Sequence, residues 1–100
     1  MFIVVWEYTV KPDRIEDFES FYRPDGPWPK LFRRYPGFVS TTLMKDLRNP
    51  RRYVVADRWT SQKMYDEFKK AAGDEYDALS DRGTRLIVKE SELGRFDFIE

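Results

Sequence analysis

The stretch from Tyr53 to Ser61 constrains the fold of this chain more than any other. Its sequence, YVVADRWTS, is rich in β-branched and aromatic residues and has neither glycine nor proline, which predicts a strand. Thr60 and Ser61 favour a helix start, because a hydroxyl oxygen accepts hydrogen bonds from the backbone N–H groups of a first helical turn. The stretch therefore predicts a strand that runs directly into a helix, with apolar side chains on both strand faces.

Four segments of the chain are predicted as strands, since each is rich in β-branched or aromatic residues. The predicted strands span 2–10, 38–46, 52–60 and 84–93. Gly94 then marks a bulge or bend, beyond which the last strand can continue at an angle.

Helices are predicted between the first two strands and between the last two. Starts are expected at Pro12, Pro27, Gln62 and Asp74, and Gly73 is expected to end the third helix. The order strand, helices, strand, strand, helices, strand is that of a ferredoxin-like α+β fold, a split β-α-β with a four-stranded antiparallel sheet.

The two faces of this sheet predict a dimer. One hundred residues suit a single domain over 1–100, and its helices can cover only one sheet face. The first predicted strand is nevertheless apolar on both sides, with Val4 and Trp6 on one face and Ile3 and Val5 on the other. The uncovered face would expose a large apolar patch. We therefore predict a homodimer in which two sheets pack face to face.

Composition excludes several kinds of chemistry. The chain has no histidine and no cysteine, which removes imidazole acid–base catalysis, thiolate nucleophiles and most transition-metal sites. Neither a metal nor a cofactor is expected. The 18 basic and 18 acidic side chains balance, so no basic field predicts a nucleic-acid or membrane partner. A chain without cysteine fits a cytoplasmic location.

Three local motifs, in this order, resemble the antibiotic biosynthesis monooxygenase (ABM) superfamily. They are the strand end Val10-Lys11-Pro12, the strand start Pro36-Gly37-Phe38, and Tyr53…Trp59-Thr60-Ser61 followed by Tyr65 and Phe68. The likeness covers residues 2–93. It implies a dimeric α/β barrel with a small ligand pocket in each subunit, between the sheet and its helices.

The resemblance also implies an activity and a set of site residues. Members include cofactor-independent oxygenases of phenolic or quinol-type aromatics, and haem-degrading oxygenases. The family's strand-3 tryptophan matches Trp59, and the pocket tyrosine of the aromatic oxygenases matches Tyr65. The asparagine that those oxygenases place before the tryptophan falls on Val55, and the histidine of the haem-degrading members has no counterpart.

Two acids are candidate proton acceptors. Asp57 lies on the same predicted strand face as Trp59, two positions away. Glu7, on a neighbouring strand, is expected on the corresponding face. Two carboxyl groups in an apolar cleft raise one another's pKa, and one of them could then accept a substrate proton. The alternative is that both acids pair with arginines or contact solvent.

The aromatic candidates have two interpretations each. Trp59 is either a pocket wall that stacks on a flat substrate or a large core residue. Tyr65 either donates a hydrogen bond to a substrate oxygen or packs in the core. Trp28 and Phe32 either form a lid over the pocket or seal the core. Together with Val55, the residues Trp59, Trp28 and Phe32 make the predicted substrate-binding set.

Three functions fit these observations. The first is a cofactor-independent monooxygenase of a planar, phenol- or quinol-like aromatic. The second is a non-catalytic module, for small-molecule binding or for assembly, on the same dimer. The third is a cyclase or isomerase, which would need its acid–base pair from Asp57, Glu7 and Tyr65.

Overall fold

The computed structural model describes residues 1–99 and shows four strands and four helices in that range. In chain order the elements are β1 Phe2–Val10, α1 Ile15–Tyr22, α2 Pro27–Phe32, β2 Phe38–Lys45, β3 Arg52–Trp59, α3 Gln62–Ala71, α4 Gly73–Thr84 and β4 Ile87–Asp97. The strands form one sheet in the order β2-β3-β1-β4, and each neighbouring pair is antiparallel. The predicted ferredoxin-like α+β fold is confirmed.

The junction between β3 and α3 forms as the sequence predicts. The Ser61 side chain accepts a hydrogen bond from the Met64 backbone N–H at 3.2 Å, which caps the first turn of α3. Gly37, just before β2, has a φ of 95° and lies against this junction. A Cβ atom there would come within 2.5 Å of the Met64 Cβ, so only glycine fits.

Several boundaries differ from the prediction. Helix α1 begins at Ile15 and not at Pro12, because Pro12 lies in a turn that the hydrogen bond from the Arg14 N–H to the Lys11 carbonyl closes. Gly73 does not end α3, because Ala72 is the last capping residue and α4 begins at Gly73 itself. The acids Asp74 and Glu75 stabilise this start at the positive end of the helix dipole. Because α4 continues to Thr84, β4 begins three residues later than predicted, and it passes through Gly94 with bulges on either side of its centre.

The helices cover one face of the sheet, which we call the covered face. Along β3 every second residue is buried, from Tyr53 to Trp59. These side chains pack into two aromatic clusters. One surrounds Trp59 and includes Phe32 and Phe68, and the other surrounds Tyr53 and includes Phe18 and Tyr22.

The opposite face of the sheet, which we call the open face, carries no helix. Register places Ile3, Val5, Val54 and Ala56 at its centre. At its edges Met44 of β2 and Phe96 of β4 are 45% and 53% exposed. The apolar open face that the sequence predicts is therefore present.

Candidate active site

A cavity lies between the covered face and the helices. It is lined by Trp6, Tyr8, Tyr22, Trp28, Phe32, Thr41, Val55, Asp57, Tyr65, Tyr76, Ser80 and Glu90. Its volume, counted over the positions open to the centre of a water molecule, is about 40 Å³. That is room for a few water molecules. Aromatic rings make most of the wall, and hydroxyl and carboxyl groups lie among them.

Asp57 is the most deeply buried acid of this cavity, with 7% of its surface exposed. It faces Thr41 across the β2–β3 ladder, and the Thr41 hydroxyl donates to Asp57 Oδ1 at 2.7 Å. Among residues 1–99 no cation pairs with this carboxylate. Burial raises the pKa of Asp57 to about 7, and the Thr41 hydrogen bond offsets part of that rise. Such a carboxyl group exchanges its proton near neutral pH, as a general base must.

Glu7 does not join Asp57, which corrects the expected carboxylate pair. Side chains alternate along β1, and Glu7 falls opposite Val54 on the open face. There it accepts a hydrogen bond from Arg52 Nε at 2.6 Å. The interpretation of Glu7 as the partner of an arginine therefore describes its position.

A different acid, Glu90 of β4, lines the cavity. It lies opposite Tyr8 in the register of β1 and β4. Glu90 is exposed on its outer side, which places it at the rim, and partial burial raises its pKa. Alternation along the sequence does not predict the sheet face on which Glu90 lies, because the face of each β4 residue depends on where the bulges fall.

Trp59 lies in the core and not in the cavity wall. It is fully buried, and its ring packs 5.0 Å from that of Phe68 and 5.6 Å from that of Phe32. Phe32 and Tyr65 contact Trp59 on one side and line the cavity on the other. Of the two interpretations of Trp59, the core residue matches its position.

The other predicted site residues do meet at the cavity. Val55 and Asp57 come from β3, Tyr65 from α3, and Trp28 and Phe32 from α2. Burial raises the pKa of the Tyr65 hydroxyl, so this group stays protonated and can donate a hydrogen bond. Trp28 packs edge-on against Tyr76 of α4, with ring centroids 5.1 Å apart.

Several hydroxyl groups of the cavity wall were not predicted. They belong to Tyr8, Tyr22, Thr41, Tyr76 and Ser80. Tyr76 and Ser80 reach the cavity because α4 is a full helix of 12 residues. The helix that the sequence predicts from Asp74 includes Tyr76 and Ser80, but neither residue was a candidate for the site.

Among residues 1–99 no group of three or more His, Cys, Asp or Glu side chains is placed to hold a metal ion. No helix in this range is long and apolar enough to cross a membrane.

The fold and the cavity together define a ferredoxin-like α+β protein with an aromatic-walled cavity, and solved structures share this fold. SnoaB, a cofactor-independent oxygenase from Streptomyces nogalater, matches in a mutant form with a TM-score of 0.82 at 22% identity, over 99% of this chain and 93% of that one. An antibiotic biosynthesis monooxygenase homologue from Nitrosomonas europaea matches with a TM-score of 0.77 at 18% identity, over 100% of both chains. A third, from Deinococcus radiodurans, has a TM-score of 0.79 at 12% identity, over 100% of this chain and 94% of that one.

The family assignment comes from a match of sequence. The model of the antibiotic biosynthesis monooxygenase family matches residues 1–73, and the chain belongs to this family. No curated protein matches the chain. The matched residues run from β1 to the end of α3, and they include Asp57 and Tyr65 of the cavity.

Proposed function

We propose that this protein is a cofactor-independent monooxygenase of a planar phenol- or quinol-like aromatic. The observation that carries the proposal is Asp57, a buried carboxylate that no cation among residues 1–99 pairs with, at the wall of an aromatic cavity in a monooxygenase family. Single carboxylates are rarely buried without a function, because an unpaired charge in an apolar site is costly.

The proposed reaction uses the electrons of the substrate itself. Asp57 accepts a proton from the substrate, and the resulting electron-rich anion reduces O2 at a ring carbon. One oxygen atom becomes a carbonyl oxygen on that carbon, and the other leaves as water with two hydrogens of the substrate, the one on that carbon and the hydroxyl proton that Asp57 accepted. Atoms and electrons balance without a flavin or a metal. The protein then supplies a base, a defined orientation and the exclusion of water.

The aromatic wall would hold the ring. Trp28, Phe32 and Tyr65 present flat surfaces, and Val55 adds an apolar contact. A cavity of about 40 Å³ is smaller than an aromatic ring, so side chains must move for a substrate to bind. We propose that α2, which carries Trp28 and Phe32, acts as the lid. It is only six residues long and follows the exposed turn at 23–25.

Within this proposal the protein acts as a homodimer through the open face. Its central apolar residues and the exposed Met44 and Phe96 support this, because a monomer would leave that patch in water. The single domain over 1–100 would be the repeating unit.

Oxygen uptake tests the proposal. The purified protein is mixed with a panel of anthrones and quinols, and oxygen consumption is measured beside product analysis. Substrate-dependent uptake with one oxygen atom in the product supports monooxygenation. Tight binding without turnover would instead favour the non-catalytic module, and conversion without oxygen uptake would favour a cyclase or isomerase.

A further inference from the structure

We propose that the indole N–H of Trp28 recognises the ligand by donating a hydrogen bond to an acceptor oxygen, such as a carbonyl oxygen. The inference rests on the proposed small-molecule function of the cavity, and it adds a specificity-determining residue to it. Neither the resemblance nor the family match assigns a role to Trp28.

The first observation is an unpaired donor. Trp28 Nε1 is buried and has no hydrogen-bond partner among residues 1–99. A buried N–H without an acceptor destabilises a protein, because it has lost its hydrogen bond to water, so such groups are uncommon unless something else satisfies them. An indole N–H can only donate, so its partner must offer a lone pair.

The second observation is the position of this donor. Trp28 lines the cavity. Its ring packs against those of Phe32 and Tyr76, whose centroids lie 5.8 Å and 5.1 Å from its own. The cavity is the space beside Trp28 that can hold an acceptor. Trp59 offers an instructive contrast, because its Nε1 is also buried and unpaired but Trp59 does not line the cavity. Of these two indoles, only that of Trp28 belongs to a residue that lines the cavity.

Tyr22 is the protein group that competes for this hydrogen bond. The Trp28 indole lies close enough to the Tyr22 hydroxyl to lower its pKa slightly, against the larger rise that burial causes. The two groups nevertheless fall short of hydrogen-bond geometry. A ligand oxygen that accepts from Trp28 therefore competes with this contact with Tyr22, which does not meet the geometry of a hydrogen bond.

The polar groups of the cavity then divide by chemistry. Asp57 accepts and Trp28 donates, so the site matches a ligand with a hydroxyl group at one point and an acceptor oxygen at another. Glu90, at the rim, adds a second acceptor that an acceptor oxygen of a ligand would avoid. Trp28 is thus a group that would distinguish a ketone from the same skeleton without its oxygen, since its indole can only donate whereas the hydroxyl groups of the wall can donate or accept.

A matched pair of ligands tests this inference without turnover. 5-Hydroxy-1-tetralone and 5,6,7,8-tetrahydro-1-naphthol share one skeleton and one hydroxyl group, and they differ only in the carbonyl oxygen. Their dissociation constants are measured by calorimetry with the wild-type protein, Trp28→Phe and Trp6→Phe. Trp6→Phe is the control, because it also removes an indole from the cavity wall, but one whose nitrogen is not a buried unpaired donor.

We expect the wild-type protein to prefer the ketone by about 10-fold, the effect of one hydrogen bond. Trp28→Phe should abolish the preference, and Trp6→Phe should retain it. In the wild-type protein the Trp28 indole proton, observed by ¹H–¹⁵N NMR, should move downfield with the ketone and not with the tetrahydronaphthol. This second measurement does not depend on the folding of any variant.

Two results would overturn the inference. One is a ketone preference that survives in Trp28→Phe. The other is a Trp28 indole signal that responds equally to both ligands or to neither. Failure of the proposed monooxygenase would look different, because the ketone preference would then be seen in binding while no oxygen is consumed with any substrate.

Discussion

Each face of the sheet carries an acid, and the surroundings of the two acids differ. On the covered face Asp57 is buried, receives one hydrogen bond from Thr41 and has its pKa raised to about 7. On the open face Glu7 is paired with Arg52, with Glu7 Oε2 and Arg52 Nε 2.6 Å apart. The two acids lie on adjacent strands of one sheet, but on opposite sides of it.

The surroundings of a carboxylate decide whether it can act as a proton acceptor. An arginine beside an acid stabilises the charged form and makes the acid a poor proton acceptor near neutral pH. A buried acid without a cation holds its proton more tightly and can exchange it with a substrate. The covered face therefore carries the candidate proton acceptor of the proposed reaction, whereas the acid of the open face is already paired with a cation.

The largest expected effect separates the two acids by activity. Asp57→Asn keeps the shape of the side chain and removes the proton acceptor, so oxygen uptake with the best substrate should fall by about 100- to 10,000-fold. Glu7→Gln, the matched control on the open face, should keep uptake within about 3-fold. Equal losses in both variants would contradict the distinction between the faces.

The next effect is on stability and depends on pH. In the folded chain the pKa of Asp57 is about 7, whereas in the unfolded chain it is near 4. Between these values the folded state keeps the proton and the unfolded state releases it, so the free energy of unfolding decreases as pH rises. From about pH 5 to about pH 8 the loss due to this group should be about 3 kcal/mol.

Urea unfolding at those two pH values, at fixed protein concentration, measures this loss. Asp57→Asn should be less sensitive to pH by the stated amount, and Glu7→Gln should behave as the wild type does. The claim that Asp57 is buried and titrates near neutral pH would be contradicted if the wild-type protein became more stable over this range and the stability of Asp57→Asn changed with pH to the same extent.

The open face is tested by a charge at its centre. Ala56 lies between Val5 and Thr42 on this face, so Ala56→Asp would bury an unpaired carboxylate in the proposed dimer interface. The dimer dissociation constant should rise by at least about 100-fold. Light scattering or analytical ultracentrifugation measures it. Lys63→Asp, an exposed position on α3, is the control and should leave the dimer intact.

The smallest expected effect concerns the hydrogen bond to Asp57. Thr41→Val removes the hydroxyl that donates to this carboxylate, so the pKa of Asp57 should rise further. Turnover at neutral pH should then fall by about 5- to 10-fold and recover at higher pH. Thr42→Val, the neighbouring threonine on the open face, should leave the pH profile unchanged. A loss that is the same at every pH would indicate a purely structural role for Thr41.

The sequence predicted the fold well, because its signals are local. Two-residue periodicity identified β1 and β3, Ser61 marked the start of α3, and Gly37 marked the turn before β2. The alternation on β1 also indicated the apolar open face. These patterns depend on the chain within a few residues of each position.

The candidate site was predicted only in part, because it depends on long-range geometry. Asp57 and Val55 were placed correctly by the alternation of β3. Glu90 could not be placed, since its side depends on the β4 bulges, and Tyr76 was missed because the sequence does not show which side chains of the helix near Asp74 face the sheet. Glu7 was assigned to the wrong face even though its own alternation with Trp6 showed the correct one.

The titration of Asp57 itself tests most directly whether this residue is the proton acceptor of the cavity. Carboxyl ¹³C chemical shifts followed across the pH range, with Asp57→Asn to assign the signal, give its pKa in the folded protein. We expect the carboxyl group of Asp57 to titrate with a midpoint near pH 7. A midpoint near 4, the ordinary value of an aspartate, would show that this carboxylate is charged and solvated and would contradict its role as the proton acceptor of the cavity.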